Sequence, residues 1–132
     1  MNRDTNYRSA LERIDRWFAE QGWEPFQFQR ECWNAWLEGY DGLLNAPTGS
    51  GKTYALLLPP ILQYLSHKQE NEREDQVLKV LWITPLRALS KEIYLSSQRL
   101  VEGLDLNWEV GIRTGDTSAS ERRKQRDNPP QI

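Results

Sequence analysis

"GLLNAPTGSGKTYALLLP" occupies residues 42–59. A short apolar run enters a glycine-rich turn, and a helix-forming run leaves it. Strand, turn and helix in that order are the context that a phosphate-binding loop requires. The strict pattern is G-x-x-x-x-G-K-[ST]; here Gly51, Lys52 and Thr53 fit, and Ala46 replaces the first glycine. That first place needs a small residue, which alanine supplies where positive φ is not required. Gly49 and Gly51 are the glycines expected beside phosphate. With Pro47, Thr48 and Ser50 they form a turn whose backbone N–H groups cradle an anion at a helix start. Lys52 is expected to reach the β- and γ-phosphates, and the Thr53 hydroxyl to ligate Mg2+. The bland alternative is a glycine-rich turn that binds nothing, but it explains less of the coincidence of run, triplet and helix.

Outward from this loop, the apolar spacing alternates between two periods. Residues 7–20 place Ala10, Leu11, Ile14, Trp17 and Phe18 on one helical face, and Gly22 suits the stop. A second helix is expected over about 26–38, with Phe28, Cys32, Trp33, Trp36 and Leu37 inward. A third follows the loop from Gly51 to about Leu65. Pro59-Pro60 should kink it or end its first half, because proline lacks a donor and clashes one turn back. "SHKQENEREDQ" (66–76) reads as a solvated, mobile connection. "VLKVLWIT" (77–84) and "WEVGIR" (108–113) read as strands, with a helix over "PLRALSKEIYLSSQRLV" (85–101) between them. A short basic helix follows, where Ser118 and Glu121 have capping-box spacing. Strands alternating with helices imply parallel pairing, so the expected fold is α/β with a three-layer parallel sheet. Pro129 to Ile132 reads as the approach to another strand, and the chain reads as part of something larger.

Composition sets the remaining bounds. The 132 residues carry a net charge of −2, so the chain is no basic coat for nucleic acid. Residues 1–76 hold 8 basic against 12 acidic side chains, and 77–132 hold 9 against 7. Any polyanion contact is therefore expected in the second half. No run approaches a membrane span, no secretory signal opens the chain, and Cys32 is the lone cysteine. A cytoplasmic, reducing setting is expected.

"APTGSGKT" (46–53) resembles motif I of superfamily 2 helicases, which tolerates alanine at the first place. "GWEPFQFQ" (22–29) resembles the Q motif, "ITPLRAL" (83–89) resembles motif Ia, and "GIRTGDTSASERR" (111–123) resembles the next nucleic-acid-contacting loop. The resemblance is strongest to the large helicase-related and ligase-associated DExH-box branch and covers about residues 20–132. It implies a partial RecA-like P-loop NTPase motor domain at 22–132, preceded by an N-terminal helix at 1–21.

The same resemblance implies site residues. ATP with Mg2+ is the implied cofactor, held by Gln29 and residues 46–53. Gln29 would read the adenine edge with both ends of its amide, although a glutamine on a helix is ordinarily just solvated. Trp23 is a further place for the base to pack, or else core. Thr84, Pro85 and Arg87 would hold single-strand phosphates, as would Arg113, Thr114, Gly115 and Asp116. For Asp116 a helix cap is the competing reading, and for Arg122, Arg123, Lys124 and Arg126 a solvated basic face is. The implied partners are single-stranded nucleic acid, with DNA expected, and DNA-repair proteins such as a ligase.

The sequence departs from the family in one respect. Asp105, Glu109 and Asp116 form no acidic pair at a strand end, so phosphoryl transfer by these residues alone is not expected. The rivals are a small P-loop kinase and a non-catalytic nucleotide-binding module.

Overall fold

The computed structural model describes residues 3–47, 49–67 and 77–132. Thr48 and most of the expected mobile connection, 68–76, lie outside the described residues. The helices are α1 (Arg3–Glu20), α2 (Gln27–Leu37), α3 (Lys52–His67), α4 (Arg87–Gly103) and α5 (Ala119–Asp127). The chain divides into two compact units, 1–70 and 71–132.

In the first unit α1 and α2 both pack on α3. The α1 face expected from the spacing is the buried one: Ala10, Ile14, Trp17 and Phe18 are at most 4% exposed. From α3 it meets Ala55, Leu57, Leu58, Ile61 and Leu62, all fully buried. Gly22 ends α1 at φ +74. Its N–H donates to the Ala19 carbonyl and that of Trp23 to the Phe18 carbonyl, the paired closure of a left-handed helix end. The Trp23 ring then packs edgewise on Phe18. Gly39 closes α2 in the same way at φ +85. The inward face of α2 is narrower than its spacing suggested. Trp33 is buried, Phe28, Cys32 and Leu37 are half-buried, and Trp36 is exposed. Burial pushes the Cys32 thiol upward, and the neighbouring Glu31 carboxylate adds to it, so Cys32 is not an activated nucleophile.

Pro59 and Pro60 do not end α3, which runs on to His67. Pro59 is buried beside Leu57, Leu58, Ile61 and Leu62. Burial of this apolar face outweighs the two donors that the prolines remove.

In the second unit, α4 buries Ile93, Ser97, Leu100 and Val101, and α5 buries no residue. The Ser118 hydroxyl accepts from Glu121 N at 3.2 Å, so Ser118 is the cap expected of it. Residues 77–84 and 108–113 flank a cavity of about 450 Å³, lined also by Ser97, Pro130 and Ile132.

The expected three-layer parallel sheet is not there: among the described residues there is no strand. Segments 42–46, 77–84 and 108–113 form no ladder. Gln131 and Ile132 lie between the last two. The Gln131 carbonyl accepts from Lys79 N and Val80 N, Ile132 N donates to the Glu109 carbonyl, and Gly111 N donates to the Ile132 carbonyl. Two residues bridge the segments but do not propagate a repeat. The outcome is visible in exposure, with Leu43 at 95% and Ile83 at 83%. The apolar runs were legible; the pairing that turns such runs into a sheet is absent from this structure.

Candidate nucleotide and nucleic-acid sites

The phosphate loop belongs to the first unit and is held from both sides. Gly49 sits at φ +78 and Gly51 at φ +90, so both occupy the left-handed region that glycine alone enters freely. A Cβ on Gly49 would meet open space, so its need for glycine is conformational. At Gly51 a Cβ would come within 2.6 Å of Gln29 Nε2, so that position is constrained by conformation and by contact. Among the described residues none supplies an acceptor to the amides of Gly49, Gly51 or Thr53. The start of α3 is a place where an anion is favoured.

Lys52 is half-buried, and its Nζ donates to the Ala46 carbonyl at 2.7 Å. The lysine thus spans the loop onto the position where the strict pattern has its first glycine. To reach a phosphate it must exchange this bond for a charge-assisted one.

Gln29 is the largest departure from expectation at this site. It is not a solvated helix residue; it is 2% exposed. Its Oε1 accepts from Phe26 N at 2.8 Å, and its Nε2 donates to the Gly51 carbonyl at 2.9 Å. The first bond is half of a capping box, from the third helical residue back to the cap. The second ties the start of α2 to the phosphate loop. One amide proton and one lone pair remain on Gln29, the complement that an adenine edge needs. Sequence reasoning missed the strut because Phe26 is not a capping-box Ser or Thr. Trp23 is 43% exposed and packs against Trp17, Phe18 and Tyr54, which places it at the rim of the aromatic core.

For a divalent cation the described residues offer the half-buried Thr53 side chain. No group of three His, Cys, Asp or Glu among them is placed to hold a metal. That donor set is incomplete, so no metal-dependent step is derived from it.

The second unit brings together the two stretches expected to contact nucleic acid. Arg87 Nη1 donates to Asp116 Oδ2 at 2.6 Å, across 29 residues of sequence. The Thr84 hydroxyl is turned onto the start of α4, donating to the Leu86 carbonyl at 3.0 Å and lying 2.9 Å from Ser90 Oγ. Pro85 is exposed. Arg113 donates to Gln125 Oε1 and to the Arg122 carbonyl. Arg122 donates to the Thr114 and Thr117 carbonyls. Asp116 is not the α5 cap, since Ser118 takes that role. Arg122 is not merely a solvated cation, since it fastens the 114–117 loop. Among the described residues no strand precedes Arg87 or Arg113. The Arg87–Asp116 pair links 84–87 to 113–116.

Among the described residues no helix is long and apolar enough to cross a membrane. No solved structure matches the chain. Among curated proteins, it is 34% identical over 129 residues to the Lhr helicase/uracil glycosylase of Escherichia coli K12, covering 88% of this chain and 8% of that one. It is 35% identical over 105 residues to the ATP-dependent helicase Lhr-Core of Methanocaldococcus jannaschii, covering 72% of this chain and 12% of that one. A similar match, 35% over 105 residues, reaches the ATP-dependent RNA helicase ROK1 of Vanderwaltozyma polyspora, covering 76% of this chain and 18% of that one. The chain therefore spans less than a fifth of the length of these relatives. The DEAD/DEAH box helicase model matches residues 26–132, from the cap of α2 to the last residue. With the phosphate loop, its glutamine strut and the arginine-bearing loops inside that match, the chain belongs to the DEAD/DEAH box helicase family.

Proposed function

We propose that this chain is the N-terminal, ATP-binding part of an ATP-dependent helicase. Residues 22–132 begin its first motor domain, and 1–21 form a helix in front of it. The intact enzyme couples ATP hydrolysis to movement along a nucleic-acid strand. The observation that carries the reading is the loop with Gly49 and Gly51 in left-handed conformations, Lys52 across it, and the buried Gln29 amide bonded to Gly51. Residues 46–53 bind the phosphates, Gln29 reads adenine, and Thr53 supplies a hydroxyl to Mg2+ arriving with the nucleotide. Thr84, Pro85, Arg87 and residues 113–116 face single-stranded DNA, with Arg87 and Arg113 supplying cations to its phosphates. The DNA assignment follows the Lhr relatives, one of which is named a uracil glycosylase as well; the ROK1 name points instead to RNA. A cytoplasmic setting and repair partners such as a ligase accompany the DNA reading. Chemistry requires acidic residues that hold the metal, and no metal-holding group of His, Cys, Asp or Glu stands among the described residues, so the chain alone is read as binding ATP without turning it over.

Gln29→Ala tests the nucleotide site. The substitution removes the bond to Gly51 as well as the base contact, so affinity for inorganic triphosphate falls modestly and affinity for ATP falls further. The excess loss is expected at about three- to tenfold, one neutral hydrogen bond or two. Calorimetric titration with ATP, GTP and triphosphate reads it. Equal losses for all three would remove adenine reading from Gln29 and leave it a strut alone.

A further inference from the structure

Two arginines, Arg87 and Arg122, bond to the loop 114–117, and Arg113 just before it bonds to α5. Arg87 is paired with Asp116 at 2.6 Å, while Arg113 and Arg122 donate to backbone and amide oxygens. The pair is open to solvent, with side-chain exposures of 69% and 73%. An exposed ion pair between two freely moving side chains achieves little, because both must be ordered. Here one partner is delivered by the backbone. Thr114 N donates to Thr117 Oγ1 at 2.9 Å, Thr117 N to the Thr114 carbonyl at 3.2 Å, and Asp116 N to Thr114 Oγ1 at 3.2 Å. Arg122 locks the same loop from outside through the Thr114 and Thr117 carbonyls. Gly115 lets the guanidinium lie against the loop: a Cβ there would stand 3.0 Å from Arg87 Nη2. The backbone that carries Asp116 is thus ordered by the loop's own bonds, which lowers the ordering cost of the pair.

We propose that Asp116 is a specificity-determining residue of this surface, an internal anion that reserves Arg87 for polyanions. The proposal rests on reading Arg87 as a phosphate contact. A phosphate that takes the Nη1 side of Arg87 must displace a tethered carboxylate, and a tethered group competes at an effective concentration in the millimolar range. A strand meets the surface at several phosphates, so contacts elsewhere hold it beside Arg87 while the carboxylate is exchanged. The discrimination is modest, up to about fivefold for an exposed pair. It acts on anion valency and not on base sequence, since phosphate contacts carry no base information.

The test uses the full chain with a fluorescent 12-nucleotide single strand, followed by anisotropy across a salt series, with inorganic pyrophosphate as the competing small anion. Asp116→Asn preserves shape and removes the charge. It is expected to tighten strand binding about two- to fivefold with the log–log salt slope unchanged, because Arg87 neutralises the same phosphate in both chains. Pyrophosphate should gain more than the strand does, and equal gains for the two overturn the discrimination by valency. Arg87→Ala should weaken the strand and flatten the slope by about 0.7, and adding Asp116→Asn to it should restore nothing. Glu102→Gln, an equal charge change at the far end of α4, should leave binding unaltered. Weaker or unaltered strand binding in Asp116→Asn, with Arg87→Ala still deleterious, overturns the proposal and leaves the phosphate contact standing. An equal gain from Glu102→Gln overturns it in favour of net charge alone. An Arg87→Ala variant that binds as the parent does overturns the phosphate contact itself, and the proposal with it.

Discussion

Lys52→Ala is expected to raise the dissociation constant for ATP on the order of 100-fold while leaving the chain folded. The lysine donates to the Ala46 carbonyl at 2.7 Å in the structure. In the bound state it is expected to exchange that acceptor for phosphate oxygens. A hydrogen bond between charged groups contributes about 1.5–3 kcal/mol. Forfeiting one or two of them, less the neutral bond given up, leaves roughly 2.7 kcal/mol, which is the 100-fold. The stability cost is smaller. Removing the Lys52–Ala46 bond costs about 1 kcal/mol, a lowering of the melting temperature by about 4–8 °C for a unit of this size. Lys52→Met, which keeps the aliphatic stem, should lose the same affinity with less destabilisation. Calorimetric titration beside a melting curve separates the two quantities. ATP affinity unchanged in a folded Lys52→Ala chain would remove the loop from the nucleotide site.

The half-buried position of Lys52 shows where reading the sequence stopped. The G-K-T triplet identified the lysine, and glycine at 49 and 51 identified the turn, because both signals are local. Helix faces were legible for the same reason: Ala10, Ile14, Trp17 and Phe18 recur at a helical period and are the residues buried. Gly22 and Gly39 ended their helices where positive φ requires glycine. Features that depend on distant partners were not legible. Gln29 meets Gly51 across 22 residues, and Arg87 meets Asp116 across 29. The sheet failed for a related reason. Alternating or continuous apolar runs report a demand for burial, not the presence of a neighbouring strand to meet it. Leu81 and Ile83 lie in a run read as a strand, yet they are 73% and 83% exposed beside a segment that offers them two residues of pairing. Pro59-Pro60 did not end α3, because packing of the helix overrode a sound local rule.

The stability of the phosphate loop is tied to a residue outside it, which makes Trp33→Ala the most damaging single change expected in the first unit. Trp33 is 1% exposed on α2. Its ring packs edgewise on Phe18 of α1 at 5.9 Å between centroids, and the Arg30 guanidinium lies 5.8 Å from it. Its Nε1 donates to the Tyr54 carbonyl at 3.3 Å, two residues beyond Lys52 in the first turn of α3. One side chain therefore joins α1, α2 and the start of the helix on which the loop rests. Truncating a buried tryptophan to alanine costs about 3–5 kcal/mol in lost transfer energy and cavity formation. A compact unit of about 70 residues has a net stability of roughly 3.5–10 kcal/mol, so the change consumes much or all of it. ATP binding should fall with the folded fraction and recover partly on cooling towards the temperature of greatest stability. Lys52→Ala should show no such recovery, because its loss is local. Trp33→Phe retains an aromatic ring and loses the indole donor. It should cost about 1–2 kcal/mol and keep measurable ATP affinity, since Tyr54 retains its carbonyl within α3. Circular dichroism melting of both variants, with titrations at two temperatures, checks the ordering. A Trp33→Ala chain that melts within about 2 °C of the parent would mean that Trp33 does not brace the start of α3, and that the Gln29–Gly51 bond alone ties α2 to the loop.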